Sequence, residues 1–185
     1  MNAFNDSVVF ETERCVIRNW TPSDVERVFD TYRRWEVSRW LGSEPMAMET
    51  VDQAERLIQR WGEANGAPGL AGRWAVQRKN DGVVAGTVLL IPLPDGEGEF
   101  EVGWHFHPDS WGQGLATESA GGALAWGEQR GLNEVFAVVR PDNERSLAVC
   151  RRLGMEALGV TTKYYSVELE LFRSTPCPSA AGKAR

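Results

Sequence analysis

Few of the residues that announce a chemistry by themselves are present in this chain. There are only three cysteines, Cys15, Cys150 and Cys177, far apart and with no Cys-x-x-Cys pair. That spacing excludes a disulfide framework and a thiolate zinc site. The two histidines, His105 and His107, fall on one strand face, but no third histidine exists to complete a metal site, so no metal is expected. No apolar run approaches the roughly 20 residues of a membrane span. The first residues carry neither the basic nor the apolar segment of a secretory signal. The expectation is a cytoplasmic protein with no membrane partner. Basic residues are also in deficit, 20 against 26 acidic ones, for a net charge of −6. That balance disfavours a broad nucleic-acid surface and leaves room for a local basic patch.

What is present fits one globular domain. At 185 residues, with 42% apolar and 25% charged side chains, the chain can bury a full core. A first strand is expected over Val8–Arg18. Thr21-Pro22-Ser23-Asp24 reads as a helix start, with Thr21 as cap and Pro22 at the first helical position. Val25, Val28, Phe29 and Tyr32 recur at helical spacing. Trp35, Trp40 and Leu41 follow in a less regular connection. A second helix starts at Thr50, with Gln53 completing a capping box.

Strands are expected at Arg73–Lys79 and Val83–Leu93, joined by Asn80-Asp81-Gly82, and then at Glu99–His107. A helix from about Gly114 to Arg130 stops at Gly131. A strand at Glu134–Arg140, a helix at Ser146–Leu153, and strands at Met155–Val160 and Tyr164–Phe172 complete a mixed α/β domain with a largely antiparallel start. The domain spans 8–172, and the residues from 173 to 185 are expected to be a disordered tail.

The most specific local signal is Trp111-Gly112-Gln113-Gly114-Leu115-Ala116-Thr117-Glu118 after a strand that ends at Pro108. A strand, a glycine turn and a helix start aim free N–H groups at one point, which suits a phosphate or pyrophosphate. The turn lacks the Gly-Lys-Ser/Thr ending of a Walker loop and the third glycine of a dinucleotide fingerprint. The anion therefore belongs to another cofactor.

With its neighbours, this segment resembles the GNAT superfamily of N-acetyltransferases, and within it the RimJ/RimL type of ribosomal-protein N-terminal acetyltransferase. The family loop reads Gln/Arg-x-x-Gly-x-Gly/Ala, and Trp111 to Ala116 fits every position but the first. Tryptophan there, inside Pro-x-x-Trp-Gly-x-Gly-x-Ala-x-Glu, is the RimJ/RimL style. Glu101-Val102-Gly103-Trp104, Asn143-Glu144-Arg145-Ser146, Arg152-Leu153-Gly154-Met155 and Arg18-Asn19-Trp20-Thr21-Pro22-Ser23-Asp24 are similar to further family segments, as is Trp40-Leu41-Gly42. The resemblance implies the GNAT acyl-CoA N-acyltransferase fold, a twisted, largely antiparallel sheet flanked by helices and splayed at a bulge beside the cofactor.

It also implies acetyl-CoA as donor and an amine, on a small molecule or a peptide N-terminus, as acceptor. Homodimers are common among such relatives. The amides of Gly112, Gln113, Gly114, Leu115, Ala116 and Thr117 would surround the CoA pyrophosphate. Backbone groups near Phe106 and His107 would pair with the pantetheine like an added strand. Asn143 would bond the pantetheine or acetyl region, and Arg152, with Arg151, would neutralise phosphates. Glu101 is the candidate general base; its alternative is a solvated strand carboxylate. Ser146 would bond or protonate the CoA sulfur, or only cap its helix. Cys150 stands where many relatives have a general-acid tyrosine, and reads as a small core residue.

Trp35 and Trp40 either line an acceptor pocket or pack ordinarily, and Glu36 and Glu44 lie near that groove. A non-catalytic acyl-CoA-binding domain is the second reading of the whole chain, and a nucleotide-binding domain of another family the third.

Overall fold

The computed structural model describes residues 8–65 and 70–174. Its eight strands form one sheet, ordered β1-β2-β3-β4-β5-β6-β8-β7. The strands are β1 (Val8–Glu11), β2 (Cys15–Arg18), β3 (Gly72–Arg78), β4 (Val84–Pro92), β5 (Phe100–Phe106), β6 (Val135–Val139), β7 (Glu156–Thr161) and β8 (Leu169–Ser174). The helices are α1 (Val25–Tyr32), α2 (Trp35–Ser38), α3 (Val51–Asn65), α4 (Leu115–Glu128) and α5 (Glu144–Arg152). All neighbours are antiparallel except β5 and β6, which run parallel.

Each layer follows from its residues. β4 is buried from Val84 to Ile91 and apolar but for Thr87, whose hydroxyl meets that of Tyr32 at 2.8 Å, because helices cover both of its faces. On one face Ala54, Ile58 and Trp61 of α3 join Val28 and Tyr32 of α1 over Ala75 and Val84. On the other, Leu115, Ala120 and Ala123 of α4 and Leu147 and Cys150 of α5 cover Trp74, Val76, Val88, Val102 and Phe106. Small residues let α4 lie close to the sheet. A Cβ at Gly122 would come within 2.8 Å of the Phe10 ring and 2.9 Å of the Thr12 methyl.

Several sequence expectations shift. The strand expected over Val8–Arg18 is a hairpin, β1 and β2. Its turn carries no glycine or proline and is closed by Thr12, whose N–H bonds the Cys15 carbonyl at 2.9 Å. Glu118 of α4 pins the same turn, accepting from the Thr12 hydroxyl at 2.6 Å and the Arg14 N–H at 2.7 Å. The irregular stretch after α1 contains α2, whose four residues are too few to show a period. Thr21 is the N-cap, as expected, in a capping box with Asp24. The first turn is 3₁₀, Pro22–Asp24, and the buried Asp24 carboxylate accepts from the Thr21 N–H at 2.8 Å and grips Arg18 with two bonds.

The helix expected from Ser146 begins at Glu144, because Asn143 caps it; the Asn143 Oδ1 accepts from the Ser146 N–H at 3.2 Å. The last strand begins at Leu169 rather than Tyr164, since Tyr165 and Ser166 are left-handed, with φ of 56° and 54°. It runs on to Ser174, where Arg173 pairs with Glu156 and Glu134, so residues 173 and 174 belong to the sheet. The remainder of the expected tail, Cys177 included, lies outside the described residues.

Candidate active site

β5 and β6 share one register pair, Glu101 with Phe136, and then part. No bulge in β5 causes this. Its pairing with β4 is unbroken from Pro92–Phe100 to Gly86–Phe106, so the opening lies wholly on the β6 side. A cleft of about 940 Å³ fills the gap and continues along the glycine turn at one end and under α2 at the other.

The glycine-turn end is rigidly built. His107 donates its N–H to the Ala85 carbonyl at 2.9 Å, and its ring contacts Asp30 through Nε2 at 2.8 Å. Its Nδ1 accepts from the Asp109 N–H at 3.2 Å. His107 thus anchors the 3₁₀ turn Pro108–Ser110 and does not line the cleft, contrary to expectation. Because its N–H turns to β4, the alternation of an antiparallel pair leaves the N–H groups of Trp104 and Phe106 on the gap side. The Phe106 carbonyl is taken there by the Trp111 indole N–H at 2.8 Å.

Gly112 and Gly114 both adopt positive φ, 73° and 77°, which turns the chain into α4. Arg14 clips this turn, donating to the Gln113 carbonyl at 2.9 Å and to Glu118 at 2.6 Å. From Gly112 to Thr117 no N–H has a carbonyl acceptor among the described residues. The Thr117 hydroxyl is buried there without a partner. Six orphan amides and an orphan hydroxyl at a helix N-terminus fit the pyrophosphate of CoA. Arg145 lies over the Trp111 ring, 4.1 Å from its centroid, and Arg152 lines the cleft. Arg151 pairs instead with Glu144 at 3.6 Å. Asn143 and Ser146 both line the cleft; Asn143 spends its carbonyl on the cap, and the Ser146 hydroxyl has no hydrogen-bond partner among the described residues.

At the apex of the gap sits Glu101, 6% exposed. The Tyr165 hydroxyl donates to its carboxylate. Burial pushes the carboxyl up to about 7, against the opposing pull of the Tyr165 bond and the Arg73 charge. Glu101 is therefore poised to exchange a proton near neutrality. On the same strand face, His105 meets the Tyr32 hydroxyl at 3.1 Å, and burial holds its imidazole down to about 4, so it is neutral at pH 7. Trp40, Leu41, Glu36 and Arg73 line this end as well. Trp35 does not; it is 53% exposed and outside the cleft wall, and Glu44 is likewise exposed and outside it. Cys150 is buried in the core with its thiol pushed up to about 12 by desolvation, which removes it as a nucleophile.

The cleft thus joins an anion cradle to a buried carboxyl of near-neutral pKa. Tyr165, Arg73, Arg14 and Arg145 are cleft or supporting residues that sequence reasoning did not single out, and Thr117, expected only for its amide, adds its hydroxyl. The motif spacing carried a signal only for Arg145, inside Asn143-x-x-Ser146.

Residues 14–156 match the acetyltransferase (GNAT) domain family. An uncharacterized N-acetyltransferase of Bacillus subtilis, YoaA, is 30% identical over 161 residues, covering 84% of this chain and 87% of that protein. The crystal structure of a GNAT-family acetyltransferase from Bacillus anthracis superposes with a TM-score of 0.75 at 21% identity, covering 89% of this chain and 96% of the other. RimL, a ribosomal L7/L12 alpha-N-protein acetyltransferase solved with coenzyme A, superposes with a TM-score of 0.74 at 16% identity, covering 91% and 98%.

Proposed function

The chain belongs to the GNAT acetyltransferase family, and on that premise we propose that it moves an acetyl group from acetyl-CoA to a primary amine, with Glu101 as general base. The observation that carries this reading is the buried carboxyl of Glu101, set near neutral pKa at the apex of the gap that the anion cradle opens onto. Bound acetyl-CoA supplies an activated acyl carbon. The amides of Gly112–Thr117 and the Thr117 hydroxyl hold its pyrophosphate, with Arg145 and Arg152 adding positive charge beside the turn. The gap-side N–H groups of Trp104 and Phe106 are the donors free to meet the pantetheine.

The amine must lose a proton as its nitrogen bonds the acyl carbon and the carbon–sulfur bond breaks. The carboxylate of Glu101 takes that proton. The Ser146 hydroxyl, unpartnered in the cleft wall, is the group we assign to the departing sulfur. A thiolate is a good leaving group, so a hydrogen bond suffices there. Within the family we infer the RimJ/RimL branch, on Trp111, whose indole ties the turn to the end of β5.

The test is an acetyl-transfer screen across small amines and peptide N-termini, with Glu101→Gln beside the wild type. The variant is expected to lose about 10²- to 10⁴-fold in kcat/KM, the usual share of a positioned base, while its CoA affinity by calorimetry stays intact. Wild-type transfer by the variant across the pH range removes Glu101 from the base role. CoA binding without product from any acceptor favours a non-catalytic acyl-CoA-binding domain.

A further inference from the structure

Two cations of the cleft wall have side chains that make no hydrogen bond, ion pair or ring contact among the described residues: Arg152, exposed at the glycine-turn end, and Arg73, half-buried at the Glu101 end. Arg140 donates to the Gly42 carbonyl at 2.8 Å, Arg27 to Asp109 and the Val84 carbonyl, and Arg34 to Asp30. Arg145 stacks on Trp111. The guanidinium of Arg73 has no hydrogen-bond or ion-pair partner among the described residues, and it lines the cleft half-buried. Its root, in contrast, is fixed. Arg73 lies beyond the end of β2, and Asn65 at the end of α3 replaces the missing strand. The Arg73 N–H donates to the Asn65 Oδ1 at 2.9 Å, and the Asn65 amide donates to the Arg73 carbonyl at 2.9 Å.

The register places this residue in the acceptor end. Arg73 is opposite Leu89, and Leu89 is opposite Gly103, two residues along β5 from Glu101. Two strand spacings separate Arg73 from β5, about 10 Å between backbones, a distance a guanidinium largely spans. Gly103 has no side chain, and the Leu89 side chain fills the space a Cβ there would take, within 2.9 Å of it, so Leu89 is the apolar floor between the two. The floor of the cleft therefore carries a carboxylate on β5, already held by Tyr165, and an anchored guanidinium on β3 that makes no direct bond, though its charge acts on Glu101.

An unpaired cation half-covered by apolar walls is costly unless a ligand completes it. We propose that Arg73 binds an oxyanion on the acceptor, a carboxylate or phosphate, so that the substrate is a small amine carrying an anionic group rather than a purely cationic one. The inference rests on the reading that the Glu101 end of the cleft receives the amine. The two floor charges then complement the two ends of a zwitterion, ammonium towards Glu101 and oxyanion towards Arg73. The planar fork of arginine suits two-oxygen recognition, which lysine cannot copy.

Matched acceptor pairs test this: β-alanine against β-alaninamide for the carboxylate, and O-phosphoethanolamine against ethanolamine for the phosphate. Each is measured two ways, by acetyl transfer and by calorimetric titration into CoA-saturated protein, with wild type, Arg73→Gln and Arg73→Lys. The wild type is expected to prefer one anionic member over its neutral partner. Arg73→Gln is expected to cut that preference by about 10- to 100-fold, the size of a charge-assisted hydrogen bond, and Arg73→Lys to restore part of it. The pair that shows the preference identifies the oxyanion. An unaltered ratio in Arg73→Gln, or equal binding of both members to the wild type, overturns the proposal. So does an equal loss for both members with a displaced pH profile, since Arg73 would then act only on Glu101. If no amine is acetylated but Arg73-dependent binding persists, the anion site stands and the transfer reading falls.

Discussion

Glu101 and Tyr165 form the residue pair on which the pH behaviour turns. The carboxylate is the active form of a base, so kcat/KM should rise with pH through about 7 and be lost as pH falls below it. The Tyr165 bond favours the charged carboxylate. Tyr165→Phe removes that bond, and the acidic limb of the pH–rate profile should move to higher pH; an unmoved limb would show that the hydroxyl does not act on the base. Tyr165 reaches Glu101 from a left-handed backbone, which costs a non-glycine residue about 1–2 kcal/mol. Ser166, also left-handed, carries the same cost. Glu101 was legible in the sequence because it stands in a motif before the glycine turn. Tyr165 was not, because Tyr164-Tyr165 reads locally as strand and nothing nearby in the sequence records a partner 64 residues away. Arg73 was hidden differently: alternation gives its face, but its lack of a direct partner depends on every other side chain at the Glu101 end of the cleft.

Among the elements, α5 has the clearest test. Asn143 caps it and lines the cleft, so one side chain serves both helix and site. Asn143→Ala should cost about 0.5–2 kcal/mol of stability by urea denaturation, and Asn143→Asp should recover most of it. Stability unchanged in the alanine variant would mean that the cap bond contributes nothing. Elements with strong punctuation were read well. Asn80-Asp81-Gly82 joins β3 to β4, Gln53 takes the Glu49 and Thr50 N–H groups at the start of α3, and Gly131 follows α4 with φ of 95°. The misread ones lacked local cues. The β1–β2 turn is written into Glu118, more than a hundred residues away, and α2 is shorter than one period of any pattern.

For the molecule as a whole, the net charge of −6 and a cationic donor end are compatible because the basic groups are local. Gly112–Thr117, Arg145 and Arg152 gather at one end of one cleft. A ligand that binds only the folded chain stabilises it by about 2.7 kcal/mol at a hundred times its Kd. CoA at that excess should therefore raise Tm by about 5–10 °C for a chain of this size. A thermal shift that is absent at any CoA concentration would contradict the assignment of the cradle. The fold class and the order of the elements were legible because the large periodic segments are locally consistent. The parting of β5 from β6 was foreseen only through family resemblance, because the register between strands distant in sequence leaves no local trace, and the bulge expected with it is absent from the unbroken β4–β5 pairing.

That parting has one more consequence. Paired strands are held about 4.8 Å apart by their hydrogen bonds, a spacing that no side chain can tune. Beyond Glu101 and Phe136 this ruler is missing, yet β5 and β6 still share a core, the buried cluster that holds Val102 and Phe106 with Val139, Leu147 and Phe172. The aperture is therefore set by the volumes of buried side chains. A methyl group added or removed in that core, touching no ligand, adjusts how wide the cleft stands open, and so its grip on whatever it holds can drift through substitutions that look like ordinary packing changes.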